Sequence, residues 1–88
     1  MSEVGGWVLA PRARRDFKRL DPPVQRRIVK ALNRLTGNPP TGDIVRLVGG
    51  DDEWRLRVGD WRVRFTYDRN RGVVQVLRVL PRGRAYRD

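Results

Sequence analysis

The spacing of apolar residues changes twice along the chain, and each change marks a different kind of element. Trp7, Val8 and Leu9 form a short apolar run that Pro11 ends, which predicts a brief strand after a loose lead-in over residues 1–6. From Arg12 the period becomes helical. Ala13, Phe17 and Leu20 fall at i, i+4 and i+7, with Arg14, Arg15, Lys18 and Arg19 on the remaining surface. Asp21 is placed to cap a second helix with Pro22 at its first position. Val24, Ile28, Ala31, Leu32 and Leu35 make its apolar stripe, and Gly37 ends it.

Beyond the turn-rich connector Asn38-Pro39-Pro40-Thr41-Gly42 the pattern alternates every second residue. Strands are expected over residues 44–48, 53–58, 61–67 and 73–80, with short turns at Gly49-Gly50-Asp51-Asp52, Gly59-Asp60 and Asp68-Arg69-Asn70-Arg71-Gly72. The order is β-α-α-β-β-β-β. Each strand has one apolar side to hide, so the expected architecture is α+β, with two N-terminal helices on one face of a small, mainly antiparallel sheet. Neither side of the connector could fill a core alone, so residues 1–88 are expected to form a single domain.

The segment from Trp54 to Phe65 carries the most information. With Gly59-Asp60 as a two-residue hairpin loop, Val58 faces Trp61, Arg57 faces Arg62 and Arg55 faces Arg64. Four guanidiniums then share one face, while Trp54, Leu56, Val58, Trp61, Val63 and Phe65 turn the other way as core. Like charges opposite one another repel, and no acidic residue alternates among these arginines, so an anion-binding groove is expected. The competing reading is a solvated face whose arginines splay apart or pair with Glu53, Asp51, Asp52 or Asp68. Arg78 and Arg82 lie on one side of the last strand, and Arg78 joins the cluster if Thr66 pairs with Val74. In the tail, Tyr86 either stacks on a nucleobase or tucks against the sheet.

Composition narrows the chemistry. The chain has no Cys and no His, which removes thiolate and imidazole metal sites and the commonest general base; neither metal nor cofactor is expected. No apolar run approaches the roughly 20 residues of a membrane span, so a cytoplasmic protein without membrane contact is expected. A formal charge of +10 attracts polyanions. Arginine far outnumbers lysine, which suits bidentate phosphate contacts or reflects a compositional bias; position decides between them. The helix cations Arg14, Arg15, Lys18, Arg19, Arg26, Arg27 and Lys30 meet either RNA, a protein partner or solvent.

Three stretches carry a resemblance: Leu-Ala-Pro-Arg-Ala-Arg-Arg-Asp-Phe-Lys-Arg-Leu at the first helix, Trp-Arg-Leu-Arg-Val-Gly-Asp-Trp-Arg-Val on the hairpin, and Val-Leu-Arg-Val-Leu-Pro-Arg-Gly-Arg-Ala-Tyr-Arg at the end. From about Trp7 to Arg87 the chain resembles the RelE/ParE toxins of type II toxin–antitoxin systems. The RelE branch implies ribosome-dependent cleavage of mRNA, by attack of a ribose 2′-hydroxyl on the adjacent phosphate without a metal. The resemblance assigns the catalytic positions to Arg55, Arg57, Arg62 and Arg82, with Tyr86 as the stacking residue; Arg64, Arg78 and Arg84 join the helix cations as RNA contacts. Lysines of the family's hairpin motif are arginines here, and Pro81 stands where relatives often carry His, so no obvious general base remains.

The partners implied are a cognate antitoxin, the ribosome with its mRNA, and operator DNA only as a toxin–antitoxin complex. Two other readings stand beside the nuclease. One is a ParE-type gyrase inhibitor, against which the retention of Arg82 and Tyr86 argues. The other is a catalytically silent member that only binds its antitoxin.

Overall fold

A computed structural model describes residues 6–47 and 52–83. The order is β1 (Trp7–Leu9), α1 (Pro11–Lys18), α2 (Pro22–Leu35), β2 (Asp43–Arg46), β3 (Glu53–Val58), β4 (Trp61–Asp68) and β5 (Val73–Pro81). The expected order of elements is therefore the observed one. The strands make one sheet in the order β1-β5-β4-β3-β2. β1 runs parallel to β5, and the other neighbours are antiparallel.

One core cluster joins the helices to the sheet. Ala13, Ile28 and Leu32 from the helices are fully buried, as are Val63 and Val76 from the strands, with Leu56 nearly so. Trp54, Val58 and Trp61 pack against this cluster while partly exposed, so the apolar side of the hairpin is core, as its alternation requires. Polar ties fix the helices further. Trp7 Nε1 donates to Asn33 Oδ1 at 2.9 Å, and Gln25 Nε2 donates to the Phe17 carbonyl at 2.9 Å. No helix among the described residues is long and apolar enough to cross a membrane.

Several boundaries differ from expectation. Asp21 occupies the cap position of α2 but its side chain makes no capping hydrogen bond, leaving Pro22 as the start signal. The helix closes at Leu35, where the Thr36 hydroxyl bonds back to the Leu32 carbonyl. β2 begins one residue earlier than expected, so Asp43 belongs to a strand; Val48 lies outside the described residues. β2 is an edge strand exposed along its whole length.

Candidate nucleic-acid interface

The β3–β4 hairpin has the expected register. Arg57 faces Arg62, Arg55 faces Arg64 and Val58 faces Trp61. Gly59 has φ of 57°, and a two-residue turn with a positive φ at its first central position favours glycine there. β5 is displaced by a bulge: Arg64 faces Arg78 and Phe65 faces Val76, leaving Leu77 unmatched. Thr66 therefore pairs with Gln75, not Val74, and Arg78 stands opposite Arg64 in a row that continues to Arg55.

The row is not left as bare positive charge. Glu53 pairs with Arg64, and both side chains are largely buried. Asp16, on α1, accepts hydrogen bonds from Arg78 Nε at 2.8 Å, Arg78 Nη2 at 3.2 Å and the Val79 main-chain N–H at 2.9 Å. Asp43 pairs with Arg57 at 2.5 Å, and Asp52 with Arg46 at 3.0 Å. The expectation of a face without acidic partners is thus corrected. Two of the neutralising carboxylates, Asp16 and Asp43, come from elements outside the hairpin, where alternation along the hairpin gave no sign of them.

These pairs are unequal. Arg64–Glu53 and Arg78–Asp16 are largely shielded from water; the first ties β4 to β3 and the second ties β5 to α1. Arg57–Asp43 is about half exposed on both sides, and pairs of that kind typically contribute about 0–1 kcal/mol. A phosphate bound through charge-assisted hydrogen bonds of about 1.5–3 kcal/mol each can compete with it. Arg57 is therefore the hairpin arginine most open to an incoming anion.

Arg62 behaves differently again. Only 4% of its surface is accessible, and its Nη1 donates to the carbonyls of Gly59 at 2.8 Å and Trp61 at 2.9 Å. Its Nε is buried with no hydrogen-bond partner. The side chain folds onto its own turn, so as placed it shapes the backbone between Arg57 and Arg62 and does not face solvent.

The end of β5 comes to the same turn. The main-chain N–H of Arg82 donates to the Asp60 carbonyl at 2.7 Å, setting the exposed Arg82 beside the hairpin loop. From α2, Arg27 Nη1 lies 3.9 Å from where a Cβ on Gly59 would stand. Arg27, Arg57, Arg62 and Arg82, from α2, β3, β4 and the end of β5, are gathered around Gly59-Asp60. Arg55 lies one step further along β3, on the side of the strand it shares with Arg57. Tyr86 and Arg84 lie outside the described residues.

The helix cations spread over four places. Arg14 and Lys18 are exposed on α1. Arg15 and Arg19 line a polar hollow with Arg12, above the Asp16–Arg78 pair. Arg26 and Lys30 border a groove against Phe17, while Arg27 and Lys30 border another with Arg34 and Arg57. Sequence reasoning singled out neither Arg12 nor Arg34. Their helical spacing from Arg15 and Arg19, and from Arg27 and Lys30, was the available signal.

A helix pair over a mostly antiparallel five-stranded sheet is the fold shared with solved RelE toxin structures. Residues 8–86 match the family model of the ParE toxin of type II toxin–antitoxin systems, parDE, and the chain belongs to that family. Solved structures share the fold. The archaeal RelE–RelB complex from Pyrococcus horikoshii aligns with a TM-score of 0.74 at 24% identity, covering 92% of this chain and 98% of that one. The RelBE2 toxin–antitoxin complex from Mycobacterium tuberculosis gives 0.70 at 25% identity over 88% and 96%. The isolated RelE toxin of E. coli gives 0.72 at 19% identity over 93% and 90%. No curated protein matches the chain.

Proposed function

We propose that this protein is a toxin that cleaves mRNA on the ribosome and is held in check by a cognate antitoxin. The observation that carries the reading is the gathering of arginines from four elements at the Gly59-Asp60 turn, three of them, Arg27, Arg57 and Arg82, exposed to solvent. Preorganised guanidiniums stabilise charge that develops at phosphorus, and they are most effective when held in place before the reaction. The solved relatives crystallised with RelB-type antitoxins support the partner assignment.

In the proposed reaction the ribose 2′-oxygen bonds to the adjacent phosphorus, and the bond from phosphorus to the 5′-oxygen breaks. The 2′-hydroxyl proton departs and the 5′-oxygen gains one, leaving a 2′,3′-cyclic phosphate and a 5′-hydroxyl. Arg57 and Arg55 hold the non-bridging oxygens, and Arg82 sits at the leaving oxygen. Arg62 fixes the turn beneath them, and Tyr86 stacks on a base. Arginine stays protonated, so these residues supply charge and not a base. In-line alignment of the 2′-oxygen by the ribosome removes several kcal/mol of barrier by positioning alone. Operator DNA is bound by the toxin–antitoxin complex, and the site of action is the cytoplasm.

The match to the ParE toxin family favours one second reading, the ParE-type alternative, for which the resemblance implies inhibition of DNA gyrase by protein contact. Purified protein on programmed ribosomes, read by primer extension beside a gyrase supercoiling assay, separates the two. Site-specific mRNA ends that need ribosomes are expected; gyrase inhibition with intact mRNA would establish the second reading instead.

A further inference from the structure

The proposed reaction releases a proton from the 2′-hydroxyl, and the arginines at the turn stay protonated and cannot take it. The chain has no His, and the hairpin segment from Trp54 to Phe65 has no Lys. Carboxylates are the side chains left that can serve as a base near neutral pH. Among the described residues most of them are already committed. Asp16 holds Arg78 and the Val79 N–H, Asp43 holds Arg57, Asp52 holds Arg46, and Glu53 holds Arg64. Asp68 accepts the main-chain N–H groups of Asn70 and Arg71. Two carboxylates, those of Asp21 and Asp60, have no such partner. Asp21 stands at the start of α2, whereas Asp60 is exposed at the turn where the arginines gather. It is the main-chain carbonyl of Asp60 that holds Arg82, so the carboxylate takes no part in that tie.

We propose that Asp60 is a catalytic residue, the general base that takes the 2′-hydroxyl proton. The assignment rests on the ribonuclease reading above. As the 2′-oxygen bonds to phosphorus, its proton passes to a carboxylate oxygen of Asp60. The bond from phosphorus to the 5′-oxygen breaks, and that oxygen takes a proton from water. The protonated Asp60 then returns its proton to solvent. Arg27, Arg57, Arg62 and Arg82 surround the same turn, so it stays net positive around its one carboxylate and still attracts phosphate. The competing role is that of a turn former, since Asp is favoured in two-residue hairpin loops. Asn is favoured there equally, so the two roles part at a single substitution.

The test is single-turnover mRNA cleavage on programmed ribosomes by wild type, Asp60→Asn and Asp68→Asn, with melting curves to verify folding. Affinity for a single-stranded RNA with methylated 2′-hydroxyls, which cannot be cut, is measured beside it by anisotropy. Asp60→Asn should slow cutting by about a hundredfold, within the usual contribution of a general base. The same variant should bind the RNA as tightly as wild type or more so, because a negative charge beside the phosphates is removed. Asp68→Asn makes the same charge change at the far end of β4 and should cut within about twofold of wild type. A loss below about tenfold in Asp60→Asn, a fall in its RNA affinity that matches the fall in rate, or equal slowing by Asp68→Asn would each overturn the assignment while leaving the ribonuclease reading in place. A wild type that cuts nothing would overturn both.

Discussion

Arg82 is tied to Asp60 by a 2.7 Å main-chain hydrogen bond, so the residue that follows β5 is fixed against the turn joining β3 to β4. A backbone bond keeps the position of Arg82 independent of its side chain. Substituting the side chain removes charge without loosening the attachment, which is what a clean functional test of this position needs.

Arg62 is expected to fail the same criterion. Its guanidinium satisfies the Gly59 and Trp61 carbonyls from a nearly inaccessible position. Arg62→Ala should lower stability by about 1–3 kcal/mol, the usual cost of leaving buried partners unsatisfied. Urea denaturation measures this. Wild-type stability in the variant would show that the turn does not depend on Arg62.

Asp16 joins α1 to β5 through three hydrogen bonds, two of them to a guanidinium. Asp16→Ala leaves Arg78 and the Val79 N–H without this acceptor, and a loss of about 1.5–3 kcal/mol is expected in thermal or chemical melts. A change within about 0.5 kcal/mol, typical of surface substitutions, would mean that water replaces the carboxylate without cost.

Leu32 is completely buried where α2 meets the sheet. Leu32→Ala should cost about 2–5 kcal/mol through lost apolar burial and the cavity left behind. A domain of this size has a total stability of only about 5–15 kcal/mol. The variant is therefore expected to melt far below wild type by circular dichroism.

Single-stranded RNA should bind with a strong dependence on salt. If Arg55, Arg57 and Arg82 each meet a phosphate, the logarithm of the binding constant falls with that of salt concentration at a slope of about −2, given roughly −0.7 per contact. Arg82→Ala should make the slope shallower by about 0.7. An unchanged slope would place Arg82 away from the RNA backbone.

Much of the fold was legible because alternation and turn chemistry are local. Gly59-Asp60 set the hairpin register, and that register placed Arg55, Arg57, Arg62 and Arg64 opposite their partners. The site was legible only in part, because its electrostatics are long-range. Asp16 lies 62 residues from Arg78, and Asp43, one residue before the expected strand, belongs to β2. The bulge at Leu77, which sets the partner of Arg78, leaves no mark on an apolar run with β-forming residues on both sides. The burial of Arg62 was equally hidden, since alternation alone places it on the open face beside Arg57.

The most direct measurement is single-turnover mRNA cleavage on programmed ribosomes by wild type, Arg57→Ala and Arg82→Ala, with the folded state of each protein verified by melting. The wild type should cut at defined positions, and each substitution should slow cutting by about a hundredfold or more, the scale for losing one preorganised donor to a transition state. Cleavage at wild-type rates in both folded variants would contradict the assignment of the arginines at the hairpin turn as the groups that act on phosphate.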